Sequence, residues 1–129
     1  MKKLEKDSVI GISALLVHAA NIDETYTNHE KNLVKDFIKS YLKDDDASEI
    51  LKKAEDIENN SNQLLNYTNI IKQNSNDIKK DIIEHLWKVI ISDNSVDQYE
   101  ANLMRRICGL IYFSDKECGE IKLRLLNSK

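Results

Sequence analysis

Asp23 and Glu30 stand seven residues apart, and so do Asp93 and Glu100, each pair framing a short break between two apolar, helix-periodic segments. These four carboxylates are the constellation whose residue types and spacing carry candidate chemistry. Carboxylate oxygens suit Ca²⁺ or Mg²⁺, although Ca²⁺ takes about six to eight oxygens and neither break has the alternating Asp/Asn pattern of a dedicated calcium loop. A structural assignment competes. Thr27-Asn28-His29-Glu30 is a capping box, in which the Thr hydroxyl and the Glu carboxylate satisfy free amides at a helix start, and Asp97-Gln98-Tyr99-Glu100 places a glutamate at the same position. Asp23 and Asp93 can accept loop amides in an Asx turn. Capping is therefore the first expectation for the four acids and a divalent-cation site the second, with Asp93 the side chain that capping explains least.

Other reactive residue types are scattered. The three histidines sit in three unrelated contexts. His18 has Asn21 at i+3 and Ile22 at i+4, so it lacks a partner ligand and reads as a hydrogen-bonded or surface residue. His85 follows Asp81 by one turn, and a contact between the two on the helix surface is expected. Asp44-Asp45-Asp46 cannot all face one ion, and Asp46 with Glu49 reads instead as a helix start, where negative charge is favoured. Cys108 and Cys118 fall on consecutive expected helices without metal-type spacing and read as reduced, core-filling thiols. With no Gly-rich phosphate loop, no His/Cys cluster and no nucleophile beside a histidine, an enzyme is not expected.

The elements that must position these residues follow from composition and periodicity. A chain of 129 residues with no proline and three glycines, rich in Leu, Ile, Lys, Glu and Asp, points to an all-α protein. Sustained period-two alternation between turn residues is absent. The length fits a single domain over 1–129 with a genuine core.

Seven helices are expected. The first spans about 7–21, with Val9, Ile10, Ile12, Leu15, Leu16, Ala19 and Ala20 forming a broad buried face behind a cap at Asp7 or Ser8. The second starts at Thr27 and carries Leu33, Val34, Phe37, Ile38, Tyr41 and Leu42, while Lys31, Lys35, Lys39 and Lys43 form a solvated face. The third carries Ile50, Leu51, Ala54 and Ile57 until 58–62 breaks it. An Asn-rich connector over 58–76 holds a short helix with Leu64, Leu65, Tyr67, Thr68, Ile70 and Ile71. The fifth runs from 76 or 77 to about 92, with Ile78, Ile82, Ile83, Leu86, Val89 and Ile90 inward and Trp87 at its edge. Leu103, Met104, Ile107, Cys108, Leu110 and Ile111 line the sixth. A capping box at Ser114-Asp115-Lys116-Glu117 opens the last, whose inward residues are Ile121, Leu123, Leu125 and Leu126.

The net charge of −3, with lysines spread along the chain, leaves no footprint for nucleic acid. The longest apolar run, 9–20, contains His18 and falls short of the roughly 18 residues of a membrane span. A cytoplasmic location without a direct membrane span is expected.

Sliding the first half by 70 residues aligns Leu16 with Leu86, Asp23 with Asp93, Glu30 with Glu100, Asn32 with Asn102, Leu33 with Leu103, Asp45 with Asp115 and Lys52 with Lys122, without a gap. The repeat, about 8–52 and 78–122, predicts two similar helical hairpin units related by a pseudo-two-fold axis.

The stretch HLWKVIISDNSVDQYEANLMRRICGLIYFSDKECGEIKLRL, 85–125, resembles the C-terminal half of the TerB-like family. Its features are a Leu-Trp-x-Val helix, an aspartate loop ending in glutamate, a helix with paired arginines, and a last helix opened by Ser-Asp. The stretch 15–41 is similar to the N-terminal half. Relatives include tellurite-resistance TerB and the N-terminal domain of membrane-anchored J-domain co-chaperones. Where the family places glycine after the loop aspartate, this chain has Asn94 and Glu24; asparagine tolerates positive φ, whereas glutamate does so at a cost.

The resemblance implies a seven-helix TerB-like bundle with an acidic face, associated in the family with divalent metal ions or with partner proteins under stress. The leading functional expectation is a protein-interaction or scaffold module with an unknown protein partner and no cofactor. Behind it stand a divalent-cation domain using Asp23, Glu30, Asp93 and Glu100, and an adaptor recruited to a membrane through a partner.

Overall fold

With no proline to interrupt it, the chain forms α1 (Lys6–Ala20), α2 (Asn28–Tyr41), α3 (Ala47–Ser61), α4 (Leu64–Lys72), α5 (Asn76–Ile91), α6 (Gln98–Leu110) and α7 (Asp115–Asn127) in a computed structural model. The structure describes residues 5–21, 27–42, 46–61, 64–91 and 98–127, with the backbone alone for 61, 64–66 and 98–100. Every regular element among the described residues is a helix.

The first helix is the centre of the bundle. Each side chain from Val9 to Val17 is buried, and α2, α3, α4 and α5 all pack against α1. One broad buried face was the sequence expectation; burial is nearly all-round because four helices surround it. Gly11 makes room for α4, since a Cβ there would lie 2.5 Å from Ile70 Cδ1. Phe37 and Ile38 from α2, Ile50 from α3, Ile71 from α4 and Ile82, Ile83, Leu86 and Ile90 from α5 complete the core. Each fully buried side chain of this size contributes about 1.5–3 kcal/mol of transfer free energy.

Helix ends follow local chemistry with two departures. Thr27 caps α2 through the full capping box. Asp46 caps α3, its Oδ1 accepting the Ser48 amide at 2.9 Å while its carbonyl accepts the Ile50 amide at 3.1 Å. α7 starts with the Glu117 amide donating to Ser114 Oγ at 3.3 Å. The first departure is at α1, which begins ahead of Asp7 and Ser8: Glu5 is its N-cap residue and gives no side-chain cap, and Asp7 lies in the first turn, where its charge still favours the helix end. The second is at α3, which runs through Glu58, Asn59 and Asn60 where a break was expected. Glu58 is itself buried against α1, so packing overrides the weak helix propensity of the asparagines.

Three core assignments also change. Ile57, expected in the inward stripe of α3, is 37% exposed. Trp87, expected at an edge, is 4% exposed because α7 covers it. Leu123, expected inward, is 59% exposed. Ile121 and Leu125 are one turn apart and share the inner face of α7, whereas Leu123 lies two positions from each and projects away.

The repeat reappears in the helices. Displaced by 70 residues, α1 falls on 76–90 and α2 on 98–111, against the observed Asn76–Ile91 and Gln98–Leu110. The pairings also recur, α1 with α3 as α5 with α7, and α2 with α3 as α6 with α7, while α1 packs on α5 between the two units.

Candidate functional site

Of the four repeated carboxylates, Glu30 is fully described. It is the third residue of α2 and 7% exposed; its Oε1 accepts the Thr27 amide at 2.8 Å and the Thr27 hydroxyl at 3.1 Å, while its own amide donates to Thr27 Oγ1 at 3.2 Å. One carboxylate oxygen is thus committed to the helix start. Glu100 is the third residue of α6, the equivalent position, and its side chain lies outside the described residues, as do Asp23 and Asp93. Among the described residues no group of three or more His, Cys, Asp and Glu is placed to hold a metal ion.

Two polar clusters that join distant helices were not foreseen. At the first, His18 Nδ1 lies 3.0 Å from Glu58 Oε1, linking α1 to α3. His18 is therefore a hydrogen-bonded residue, as its isolation from other ligand types suggested. Glu58 is 7% exposed, and its Oε2 and the hydroxyl of the nearby Tyr67 are buried without hydrogen-bond partners among the described residues. Burial, and after it the Glu58 charge, hold the Tyr67 phenol above its ordinary value.

At the second cluster the Tyr41 hydroxyl donates to Asp81 Oδ2 at 2.7 Å. The Phe37 ring meets both the Tyr41 ring, at 5.2 Å between centroids, and the His85 ring edge-on at 5.1 Å. His85 Nε2 is 3.8 Å from Asp81 Oδ2, too long for a hydrogen bond. Burial lowers the His85 pKa in spite of the Asp81 charge, which leaves a neutral ring and no ion pair at neutral pH. The expected Asp81–His85 neighbours are present, but the stronger tie of Asp81 is to Tyr41. Periodicity could have flagged Tyr41 only as a core residue, since its partner lies on another helix.

Neither cluster places a nucleophile beside an activating base. A groove of about 360 Å³ between α5 and α7 is lined by Lys80, Glu117, Glu120, Ile121 and Arg124, with Arg124 paired to Glu84 at 3.1 Å. Its lining carries charges of both signs. No helix among the described residues is long and apolar enough to cross a membrane.

The most unusual surface residue is Tyr112. α6 ends in a Schellman motif: the Phe113 amide donates to the Cys108 carbonyl at 2.9 Å and the Tyr112 amide to the Gly109 carbonyl at 3.4 Å. Tyr112 fills the left-handed position of that motif with φ 57°, where glycine is the inexpensive choice. Its ring is 72% exposed, and the Lys72 ammonium lies 4.9 Å from the ring centroid.

These features describe an all-helical bundle whose polar side chains serve largely to start helices and tie them together. The model of the family described as "Tellurite resistance protein TerB" matches residues 10–123, and the chain belongs to that family. No curated protein and no solved structure matches the chain.

Proposed function

We propose that the chain acts as one non-enzymatic TerB-family domain over 1–129 that binds a partner protein, with Tyr112 as the anchor of the contact. The observation that carries this reading is the conformation of Tyr112. A bulky side chain held at positive φ costs on the order of 1 kcal/mol, and such strain at an exposed position supports a functional reading beside its part in ending α6. Tyrosine is also enriched at protein interfaces, where its ring fills a pocket and its hydroxyl stays wet. With Lys72 beside the ring, the complementary surface is an apolar pocket with an acidic rim. The setting proposed for the interaction is a stress response, a reading that takes its support from the words tellurite resistance in the family's description.

A photo-crosslinking residue at position 112, with a control at the exposed Lys53 on α3, tests the reading. A discrete adduct from position 112 and none from position 53 is expected. Equal labelling from both positions, or none from 112, removes the proposal.

A second reading keeps Asp23, Glu30, Asp93 and Glu100 as a Ca²⁺ or Mg²⁺ site. Its support is that Glu30 and Glu100 are each the third residue of their helices, α2 and α6. Against it stands the capping role that already engages Glu30.

A further inference from the structure

Among its described side chains α6 exposes Asn102, Arg105 and Arg106, and Gly109 lies on the same face, where an added Cβ would meet nothing within 4 Å. Spacings of three and four residues hold these positions together, opposite Leu103, Met104 and Ile107 in the core. Tyr112 stands just beyond the C-terminal end of that face, 72% exposed, with the Lys72 ammonium beside its ring. The result is a strip of open surface that carries three cations and one aromatic ring.

Two features set the strip apart from an ordinary solvated face. The chain draws its positive charge mainly from lysine: of its 19 basic residues three are arginine, and two of those three are Arg105 and Arg106. Neither is in an ion pair among the described residues, whereas Arg124 is tied to Glu84 at 3.1 Å. The acids that follow in sequence, Asp115 and Glu117, sit in the first turn of α7, where their charge favours the helix start.

A guanidinium presents a planar fork of N–H donors that meets a carboxylate with two parallel hydrogen bonds, which a lysine ammonium cannot do. Arginine and tyrosine are also the residue types that anchor protein interfaces. Seven positions separate Arg105 from Tyr112, on the order of 10 Å along the helix axis. An extended peptide covers that distance in about three residues.

We infer, resting on Tyr112 as the anchor of the contact, that the partner presents an acidic segment laid along α6. Its carboxylates meet Arg105 and Arg106, and apolar side chains about three positions away enclose the Tyr112 ring. Charge and area decide between this occupant and other anions. Three cations give a nucleic acid few phosphate contacts, and the net charge of −3 opposes a long polyanion. One exposed ring is too little apolar surface to hold the chain on a lipid bilayer.

The test selects random peptides displayed on phage against the immobilised full chain at low salt. The affinity of the enriched peptides is then measured for wild-type, Arg105→Glu/Arg106→Glu and Tyr112→Gly protein. Enriched peptides should carry acidic residues about three positions from an apolar one, and the double charge reversal should weaken them about tenfold or more. Raising NaCl should weaken them on the wild type, an arm that needs no variant. Lys53→Glu, at an exposed lysine of α3, should leave their affinity unchanged. Selection of neutral or basic peptides, no selection at all, or equal binding to the charge-reversed protein would overturn the inference. So would an RNA oligonucleotide or phosphatidylserine vesicles binding through Arg105 and Arg106 more tightly than the peptides. Acidic peptides that need the arginines yet bind Tyr112→Gly undiminished would overturn Tyr112 as the anchor. A crosslink from position 112 that persists in Arg105→Glu/Arg106→Glu would keep the anchor and remove the acidic segment.

Discussion

The Tyr41 hydroxyl and the Asp81 carboxylate meet at 2.7 Å across forty positions of sequence and tie α2 to α5. Hydrogen bonds to a charged acceptor contribute about 1.5–3 kcal/mol, somewhat less where the pair is only partly buried. Tyr41→Phe should therefore cost about 1–2 kcal/mol in urea unfolding. A pH signature accompanies it. Burial, then the Asp81 hydrogen bond and charge, raise the Tyr41 phenol well above its ordinary 10.0. The folded state consequently holds this proton after the unfolded chain has released it. The resulting stability is complete below pH 10 and declines as pH rises beyond it. Unfolding at pH 9 and pH 11 should show a smaller decline in Tyr41→Phe than in the wild type; equal declines would refute the assignment.

His18 and Glu58 make the corresponding tie between α1 and α3 at 3.0 Å. Removing one partner of this partly buried pair leaves the buried Glu58 carboxylate desolvated and unanswered, a loss of about 1–3 kcal/mol. His18→Ala should cost that much. Combining it with Glu58→Leu should recover most of the loss, because the buried carboxylate is then gone. A double variant as unstable as the sum of the two single changes would show that Glu58 is not paired in this way.

The helices themselves are legible in the sequence because their signals are local. Thr27 with Glu30, Asp46, and Ser114 each announce a helix start within a few residues, and the 70-residue repeat carries the register of α1 and α2 onto α5 and α6. What escapes is whatever depends on how helices pack. Tyr41–Asp81 and His18–Glu58 join different helices, so no spacing rule links them. Burial of Glu58 extends α3 through asparagines that read as a break, and a two-residue offset turns Leu123 outward. Tyr112 is hidden for another reason: tyrosine carries no sequence signal for positive φ, and glycine, the residue that does, lies three positions earlier at Gly109.

Tyr112→Gly should leave stability close to that of the wild type, because relief of the left-handed strain is offset by the lost contact with Lys72 and the added freedom of the unfolded chain, each on the order of 0.5–1 kcal/mol. Tyr112→Ala, which keeps the strain and loses the ring, should be less stable than Tyr112→Gly by about 1 kcal/mol, or about 4 °C in Tm. Equal Tm values for the two variants would remove strain from the account.

The capping role of Glu30 separates from a cation role by titration. Thr27→Ala should cost about 1 kcal/mol, as N-cap removal does, and the loss should be the same with and without millimolar Ca²⁺ or Mg²⁺. Calorimetry on the wild type should detect no binding of either ion. A cation-dependent rise in Tm that Asp93→Ala abolishes would instead establish the site at Asp23, Glu30, Asp93 and Glu100.

The central claim is that a strained, exposed Tyr112 is retained for a partner. The most direct measurement is quantitative capture on immobilised wild-type and Tyr112→Gly protein from a lysate of the source cells, read alongside the thermal stability of both. A discrete protein held by the wild type and lost from Tyr112→Gly, even though the variant is about as stable as the wild type, is the predicted result. Equal retention by both proteins would contradict it.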